Sequence, residues 1–392
     1  MMKQAVILAA GEGQRLRPFT VTRPKTMLSI AGKPVLQYVI EALAQNGIRD
    51  IIIVVGYRKE QVFDYVGNGE QFGVNVTYIT QDKQLGTAHA LMQVKDTVND
   101  EFLVLPGDNL IEAGTIVDFV SVNPDSVLVK RVEDTVRYGI VNVDGDETVC
   151  ILDGPDEIEG GIVNTGIYSF SKKVFDYIDD ELGIPDVIND MVALGLSVKA
   201  RETSGTWLDA VYPWDILTLN NAILPQLPAT LGGTIEAGAS VNGLVSIGKD
   251  TVIRSNSYIV GPVVIGANCD IGPNVYISSA TSLGDNVVIS PFSEVKNSVI
   301  GDDVSIGSGS VIQDSVIDDG CIIGGHFTAC SDDAEIKINS GYHVVKVGAM
   351  LGAGCNLGSS VVAQPGVIVG NHSRIQSMKL VSGKLPDRSF VL

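Results

Sequence analysis

Small residues and cations are concentrated in one stretch near the start of the chain, residues 8–25 (LAAGEGQRLRPFTVTRPK). An apolar run precedes it and ends in small residues, which let a ligand come close to backbone N–H groups. Arg15 and Lys25 follow within the same stretch. Backbone donors and cations together suit a polyphosphate. We therefore predict a polyphosphate site in which Arg15 and Lys25 are candidates to neutralise phosphate charge during a reaction, and the expected binding residues are Leu8, Ala9, Ala10, Gly11, Glu12 and Gly13.

A carboxylate follows another apolar run directly. Residues 102–105 (FLVL) lead into Pro106, Gly107 and Asp108. Mg²⁺ prefers one or two carboxylates, completed by phosphate oxygens and water, so Asp108 is predicted to hold Mg²⁺ and to take part in catalysis. A helix N-cap explains an isolated aspartate equally well, and a firm metal site needs a second carboxylate.

Residues 81–90 (QDKQLGTAHA) combine two amide side chains with a glycine. The edge of a nucleobase presents hydrogen-bond donors and acceptors, which amide and backbone groups can match. This segment is therefore predicted to bind the nucleotide, whereas His89, early in a helix, is expected to be structural. The residues expected to bind are Gln81, Gln84, Gly86 and Thr87.

Strands and helices alternate through the first half of the chain. Apolar spacing predicts a helix over residues 33–45 and buried strands over residues 51–55, 76–80 and 102–105. This order predicts an α/β, Rossmann-like domain with a mainly parallel sheet and helices on both faces. Ligands bind beyond the carboxyl ends of such strands, where the three segments described above all fall.

The second half has a different period. Eleven aliphatic residues from Ile235 to Val295 lie six positions apart, which fits a three-sided coil of short strands and no helix. The register slips by one at Ile300 and at Ile317, a polar stretch over residues 325–342 is expected to loop out, and the step resumes at Leu351. We predict an α/β domain over 1–226, a linker over 227–233 and a coil over 234–392, with a cap or tail over 377–392 at its end.

Composition limits the partners. A formal net charge of −19 opposes binding to nucleic acid. No apolar run approaches the length of a membrane helix, and the five cysteines form no C-x-x-C pair. The expectation is a soluble, cytoplasmic protein that binds neither nucleic acid nor membrane.

Residues 8–25 resemble L-A-A-G-x-G-x-R-L-x-P followed by R-P-K, the motif of the sugar-1-phosphate nucleotidylyltransferases (nucleoside-diphosphate-sugar pyrophosphorylases). Residues 84–90 resemble Q-L-G-T-[AG]-H-A of the N-acetylglucosamine-1-phosphate uridylyltransferases, and the coil resembles the left-handed parallel β-helix of hexapeptide repeats. The resemblance implies Mg²⁺-assisted in-line attack of a sugar-1-phosphate on the α-phosphate of UTP, releasing pyrophosphate. The base is uracil or thymine, with dTTP as the alternative substrate, and the sugar phosphate is N-acetylglucosamine-1-phosphate or glucose-1-phosphate.

The resemblance also assigns residues that spacing alone does not. Asp209 in residues 207–209 (WLD) matches the second metal ligand of the family. Where the family usually carries E-K-P on the sugar side, this chain has Asp153, Gly154 and Pro155, so the lysine that would meet the sugar phosphate is missing. The sugar-binding residues implied by the resemblance are Gly139, Asp153, Asn164 and Thr165.

Three interpretations of the whole chain stay open. The coil is either a second active site, which acetylates an amino-sugar-1-phosphate from acetyl-CoA as in similar bifunctional enzymes, or an oligomerisation or regulatory module. Alternatively, the whole chain is a non-catalytic nucleotide-sugar sensor or scaffold. Flat coil faces favour a symmetric homotrimer or a dimer of trimers. The candidates for acetyl transfer are His326, Tyr342, His343 and Lys346.

Overall fold

The computed structural model describes residues 2–135, 137–145, 147–152, 159–179, 183–338 and 341–392. The chain divides into two compact units. The first contains Met1–Glu12, Arg23–Met27 and Pro34–Asp209, and the second contains Gly13–Thr22, Leu28–Lys33 and Ala210–Leu392. The domain boundaries drawn from the sequence, which place residues 13–22 and 28–33 in the first domain, stay a prediction.

The first unit is built on a nine-stranded sheet. Its first four strands in spatial order run parallel, and the rest of the sheet is mixed. The predicted fold class is confirmed, and the mixed half is a feature that the hydrophobic pattern did not indicate. The strands are, in spatial order, Asn75–Thr80, Asp50–Val55, Gln4–Ala9, Glu101–Pro106, Glu159–Ser171, Ser126–Asp134, Lys199–Glu202, Glu147–Leu152 and Ile140–Asp144.

Both faces of the parallel half are covered, which explains its continuous apolar runs. In the strand Asp50–Val55, Ile51 and Ile53 face one hydrophobic core while Ile52 and Val54 face another. The helix Val35–Gln45 buries its apolar face in the first of these cores and ends before Gly47, whose φ of 79° is left-handed. The helices of this unit are Val35–Gln45, Lys59–Val66, Thr87–Met92, Ala113–Ile116 and Ile184–Ala193, with 3₁₀ turns Lys25–Met27, Glu70–Phe72, Phe119–Ser121 and Lys172–Asp176.

A separate two-stranded ribbon extends from the carboxyl end of the strand Glu101–Pro106. The strands Asn109–Ile111 and Trp207–Asp209 pair antiparallel, with Asp209 opposite Asn109. This pairing brings together two segments that lie far apart in the sequence.

The second unit is a three-sided parallel coil, as the six-residue period predicts. Ile247 pairs with Ile265 and Ile253 with Ile271, so each turn takes three six-residue steps. The first sheet contains Thr230–Leu231, Val245–Ile247, Val263–Ile265, Thr281–Leu283, Val299–Ile300, Val316–Ile317, Met350–Leu351, Ile368–Val369 and Lys384–Leu385. The second contains Thr234–Ile235, Val252–Ile253, Asp270–Ile271, Val288–Ile289, Ser305–Ile306, Ile322–Ile323, Asn356–Leu357, Arg374–Ile375 and Phe390–Val391. The third contains Ser240–Asn242, Tyr258–Val260, Tyr276–Ile277, Glu294–Lys296, Val311–Gln313, Thr328–Ala329, Val362–Ala363 and Leu380–Val381.

The corners of the coil explain its asparagines. Asn268, Asn274 and Asn286 have φ between 56° and 59°, a left-handed conformation that asparagine tolerates better than most residues. The register slip at Ile300 is real, because Leu283 pairs with Ile300, one residue short of a full turn.

Two expectations about the coil were wrong. The excursion is the antiparallel hairpin of Asp332–Ile338 and Gly341–Val347, which starts later than residue 325. The buried Phe327 and Ala329 still point into the core of the coil. The search for an aliphatic pattern did not include these two residues. The last residues form another coil turn, with strands 380–381, 384–385 and 390–391, and no separate cap or tail. The step from Val381 to Leu385 is shorter than six residues, so the six-residue pattern did not reveal that turn.

The second unit also holds short elements outside the coil. Asn220, fully buried in the helix Asp215–Ile223, accepts from Ala31 N and Ser282 Oγ at 3.0 and 2.9 Å and donates to Ala280 O at 3.0 Å. One amide thus joins the residues 28–33 segment to the coil within this unit. The remaining short elements are the 3₁₀ turns Gln14–Leu16 and Leu224–Gln226 and the strands Ser29–Ile30 and Lys33–Pro34. Among the described residues, no helix combines the length and apolar character that crossing a membrane requires.

Candidate functional site

A cleft of about 330 Å³ opens at the carboxyl ends of the parallel strands in the first unit. This is where topology places ligands in a sheet of this kind. The cleft collects residues from three strand ends and from the middle of the strand Glu159–Ser171, and its volume suits a small-molecule ligand. Its lining consists of Leu8, Ala10, Gly11, Gln81, Gln84, Gly86, Thr87, Ala90, Pro106, Asp108, Gly166, Tyr168 and Ile184.

Close backbone contacts shape one wall of the cleft. Tyr57 N donates to Ala10 O at 3.1 Å, and Gly107 N donates to Leu8 O at 2.9 Å. At Gly56 a Cβ would lie 2.9 Å from Ala10 O and 3.0 Å from Gln84 Nε2, so no larger residue fits there without displacement. The close approach to Ala10 therefore needs glycine at 56, a position that the motif search did not single out.

Lys25 joins the two predicted metal ligands. Its Nζ lies 2.5 Å from Asp108 Oδ2 and 2.9 Å from Asp209 Oδ1. The ribbon that pairs Asp209 with Asn109 places the second carboxylate next to the first. All three side chains are partly shielded, with exposed fractions of 16% for Lys25, 25% for Asp108 and 20% for Asp209.

The pair of carboxylates stabilises a positive charge placed between them. Burial by itself would lower the pKa of Lys25, but the carboxylates of Asp108 and Asp209 outweigh it and hold that pKa above its ordinary value. Two carboxylates on one cation also match what Mg²⁺ takes from a protein when substrate phosphates and water supply its other ligands. The described residues contain no group of three or more His, Cys, Asp or Glu arranged to hold a metal. The donor set thus fits a metal that is shared with a phosphate ligand.

The amide-rich segment is anchored at both ends. Gln81 follows the strand Asn75–Thr80, with its backbone N donating to Val55 O at 2.8 Å. Its side-chain Nε2 donates to Gly86 O at 3.1 Å and lies 2.8 Å from His89 Nδ1. Thr87 Oγ1 accepts from Ile184 N at 3.0 Å, which ties the start of the helix Thr87–Met92 to the helix Ile184–Ala193.

Most of the predicted nucleotide-binding residues meet in the cleft. Those that line it are Leu8, Ala10, Gly11, Gln81, Gln84, Gly86 and Thr87. Ala9 is buried in its strand, and Glu12 is outside the lining. Gly13 and Arg15 belong to the second unit, where Arg15 is exposed in the turn Gln14–Leu16.

The predicted sugar-binding residues divide into two kinds. Asn164 Nδ2 donates to Tyr168 Oη at 2.7 Å, so Asn164 adjoins a residue of the cleft lining. Gly139 O accepts from Asn164 N at 2.9 Å and is therefore one residue further from the lining. Thr165 is instead buried in the sheet, where its hydroxyl donates to Leu128 O at 2.6 Å. Asp153 and the neighbouring Gly154 and Pro155 lie outside the described residues.

The four candidates for acetyl transfer do not converge within one chain. His326 is exposed at a left-handed corner of the coil, with φ of 58°. Tyr342 and Lys346 are exposed on one face of the hairpin strand Gly341–Val347. His343 is on the opposite face, where its ring centroid lies 4.3 Å from that of Tyr212.

Two residues of the lining, Tyr168 and Ile184, were not identified from the sequence. Tyr168 comes from the antiparallel strand Glu159–Ser171, and Ile184 begins the helix Ile184–Ala193. Pro106, Gly166 and Ala90 belong to segments that were expected at the site. Gly166 has a φ of 76°, and a Cβ on it would lie 2.8 Å from Pro106 Cγ.

Comparison with known families agrees with this geometry. The family described as nucleotidyl transferase matches residues 4–225, more than half of the chain. The chain belongs to that family and is a nucleotidyltransferase. Within the coil, the family described as GMPPB C-terminal domain matches residues 259–332, and the hexapeptide repeat of succinyl-transferase matches residues 349–377.

Similar proteins extend over almost the entire chain. The bifunctional protein GlmU of Methanococcus maripaludis is 34% identical across 99% of this chain and 96% of its own length. A bifunctional sugar-1-phosphate nucleotidylyltransferase/acetyltransferase of Sulfurisphaera tokodaii is 32% identical across 95% of both chains. A solved structure from Bacillus anthracis, described as a glucose-1-phosphate thymidylyltransferase, is 33% identical and covers 56% of this chain and 94% of its own, with a TM-score of 0.51.

Proposed function

We propose that the cleft transfers a nucleotidyl group from UTP, or from dTTP, to a sugar-1-phosphate, either N-acetylglucosamine-1-phosphate or glucose-1-phosphate. The observation that carries this proposal is the arrangement of Lys25 between Asp108 and Asp209, with Asp108 lining the cleft. A phosphate-binding loop and an amide-rich segment meet in the same cleft. The relative at 32% identity is a sugar-1-phosphate nucleotidylyltransferase/acetyltransferase, which supports a sugar-1-phosphate as the acceptor.

In the proposed reaction, a phosphate oxygen of the sugar-1-phosphate attacks the α-phosphorus of the nucleotide. The bond from that phosphorus to the bridging oxygen of the β-phosphate breaks, and pyrophosphate leaves with the electron pair. The attacking phosphate is already anionic, so no side chain has to remove a proton. Positioning and charge neutralisation supply the catalysis.

Each charged residue has a distinct task in this proposal. Asp108 and Asp209 would hold Mg²⁺, which when bound neutralises charge on the nucleotide phosphates. Lys25 and Arg15 would neutralise charge on the phosphates directly. The backbone N–H groups of residues 8–13 would bind the triphosphate, with Gln81, Gln84, Gly86 and Thr87 on the base and ribose.

On the sugar side, the proposal uses the backbone of Gly139 and the amide of Asn164, both adjoining Tyr168 or its strand. Asp153 completes the proposed sugar site. The chain carries Gly154 where the family usually has lysine. We propose that Lys25 and Arg15 compensate for the missing charge on the sugar phosphate.

The test is pyrophosphate release across a grid of nucleotides (UTP, dTTP, CTP, ATP and GTP) and sugar phosphates. We expect turnover with UTP or dTTP and a dependence on Mg²⁺. Asp108→Asn should lower kcat by about tenfold or more, equivalent to about 1.4 kcal/mol in the barrier. Tight binding of a UDP-sugar without turnover of any pair would favour the non-catalytic sensor or scaffold instead.

A second candidate activity concerns the coil. Two bifunctional relatives cover 95% or more of this chain, which favours acetylation of an amino-sugar-1-phosphate from acetyl-CoA in addition to nucleotidyl transfer. His326, Tyr342, His343 and Lys346 stay the proposed residues, and their dispersal within one chain would require a neighbouring subunit to complete a site. Release of free CoA with glucosamine-1-phosphate as acceptor tests this activity.

We further propose a homotrimer or a dimer of trimers formed through the coil. The outward side chains of its third sheet support an interface, since Tyr258 and Tyr276 are 48% and 40% exposed and stack with ring centroids 6.2 Å apart. The proposed substrates are intracellular metabolites, so the expected cytoplasmic location belongs to the same proposal.

A further inference from the structure

The side-chain amide of Gln81 has a fixed orientation at the cleft. Gln81 lines the cleft but is only 3% exposed. Its Nε2 donates to Gly86 O at 3.1 Å and stands 2.8 Å from His89 Nδ1. Both neighbours lie on the turn and helix that follow the strand Asn75–Thr80, so the two contacts come from one side.

The chemistry of these contacts determines which atom is which. A backbone carbonyl can only accept, so the group next to Gly86 O must be the NH₂ of the amide. His89 Nδ1 then has to accept the second hydrogen of that NH₂, which places the imidazole proton on Nε2. With both amide hydrogens engaged, Oε1 is the atom that Gln81 offers to a ligand. Rotating the amide by half a turn would set Oε1 against a carbonyl oxygen and a ring lone pair.

We propose that His89 is a specificity-determining positioning residue, which holds Gln81 so that its Oε1 faces the base. An acceptor at that position suits a pyrimidine whose ring N3 carries a hydrogen, as in uracil and thymine. Cytosine presents an unprotonated N3, which would need the NH₂ of Gln81 instead. His89 thereby selects uridine or thymidine nucleotides over cytidine nucleotides. The inference rests on the proposed function of this cleft.

The surroundings of His89 are consistent with a fixed ring. Gln93, one helical turn further on, donates from Nε2 to His89 O at 3.1 Å. The same Nε2 lies 3.5 Å from His89 Nε2, a separation at the limit of hydrogen bonding, so with the proton on His89 Nε2 this contact is not a hydrogen bond. The neighbours Ala88 and Ala90 are buried. His89 itself is absent from the cleft lining, so it would act through Gln81 without touching the base.

The experiment compares two substitutions at position 89. His89→Leu removes the acceptor, whereas His89→Asn can offer Oδ1 near the position of Nδ1. We expect His89→Leu to lower the UTP/CTP ratio of kcat/KM by about tenfold, since one hydrogen bond that fixes a buried amide is lost. The change should appear as a higher KM for UTP with kcat within about threefold of wild type. His89→Asn should restore most of the ratio.

Other outcomes overturn the inference. If His89→Leu keeps the UTP/CTP ratio within twofold, or lowers kcat/KM equally for both nucleotides, His89 has only a structural role. Binding of UTP and CTP, measured by calorimetry on the full-length chain, gives the same comparison without turnover. A wild type that prefers UTP in binding but releases no pyrophosphate with any acceptor would contradict the proposed reaction and leave the His89 comparison valid.

The tautomer can be measured without any variant. Long-range ¹H–¹⁵N spectra of histidine-labelled protein distinguish a ring protonated on Nε2 from one protonated on Nδ1. The proposal requires the Nε2–H form for His89, assigned by its loss in His89→Asn. An Nδ1–H form would contradict it.

Discussion

At the scale of single residues, charge around Lys25 decides what the site can bind. The ammonium group contacts two carboxylates that would otherwise repel each other across a partly shielded space. These are also the two residues proposed to hold Mg²⁺. Lys25 therefore lies between the two carboxylates where, in this proposal, a divalent cation would bind. We expect Lys25 to turn to a phosphate when metal and nucleotide bind together.

This competition predicts opposite effects of Lys25→Met on metal binding and on turnover. Without the ammonium group the carboxylates lose the cation that bridges them, so Mn²⁺ should bind the nucleotide-free variant about fivefold more tightly than wild type. Turnover should fall by about tenfold or more, because phosphate charge is no longer neutralised. Electron paramagnetic resonance titration of free Mn²⁺ measures the first effect.

The control is the double variant Lys25→Met with Asp209→Asn, which should lose the gain in Mn²⁺ affinity. Equal Mn²⁺ affinity in wild type and Lys25→Met would show that Lys25 and the metal do not share a place.

At the scale of elements, strand ends explain how much of the site sequence reasoning could find. Leu8 lies at the carboxyl end of its strand, and Gln81 and Asp108 follow their strands within two residues, so local pattern and parallel topology were sufficient to bring them together. Asp209 was assigned only through family resemblance. The position of Asp209 depends on the ribbon between Trp207–Asp209 and Asn109–Ile111. The sequence of neither segment indicates that the two pair. Tyr168 was not predicted for the same reason. It comes from an antiparallel strand in the mixed half of the sheet, whose pairing is also non-local.

The coil was likewise predictable where the sequence signal was local and regular. Its six-residue period was readable because every inward position carries an aliphatic side chain over many turns. The prediction was wrong where packing used another residue, at Phe327 and Ala329, and where a corner was shortened between Val381 and Leu385. A sequence period is visible only while the same kind of side chain recurs at the same spacing. The pattern can no longer be read where the inward residue or the number of residues per step changes.

The ribbon that carries Asp209 is predicted to depend on Trp207. The buried Trp207 donates from Nε1 to Thr165 O at 3.1 Å, and its ring centroid lies 5.0 Å from that of Tyr138. Trp207→Phe leaves that carbonyl without its donor and should lower the free energy of unfolding by about 1–3 kcal/mol. Urea unfolding followed by far-UV circular dichroism measures the loss.

A matched control is available at Trp214. That side chain is also buried, but its Nε1 has no hydrogen-bond partner among the described residues. Trp214→Phe changes the same volume without removing a hydrogen bond, so it should cost less than Trp207→Phe. A larger cost for Trp214→Phe would mean that ring packing, and not the bond to Thr165, stabilises the ribbon.

At the scale of the whole molecule, the chain joins a nucleotidyltransferase unit to a long regular coil under a net charge of −19. A strongly acidic protein repels polyphosphates at long range, which gives the few cations near the cleft more weight. The outward Tyr258 and Tyr276 are uncharged and exposed on the third sheet of the coil. Such side chains favour self-association over continued exposure to water.

Association through this face predicts that Tyr276→Glu disrupts the oligomer. A carboxylate placed in a symmetric interface meets its own copies and loses water, so the variant should run as a monomer in light scattering coupled to size-exclusion chromatography. Asn356→Glu, on the exposed side of the second sheet, is the control and should leave the mass unchanged. An unchanged mass for Tyr276→Glu would place the interface elsewhere or show that the wild type is monomeric.

The central claim is that Asp108 and Asp209 hold one divalent cation against a bound nucleotide. Anomalous diffraction from crystals grown with Mn²⁺ and a non-hydrolysable UTP analogue tests it most directly. The account predicts one peak roughly 2.1 Å from an oxygen of each aspartate and from a phosphate oxygen, with Lys25 turned to a phosphate. A metal peak away from either aspartate, or Lys25 still bridging the two carboxylates beside a bound nucleotide, would contradict it.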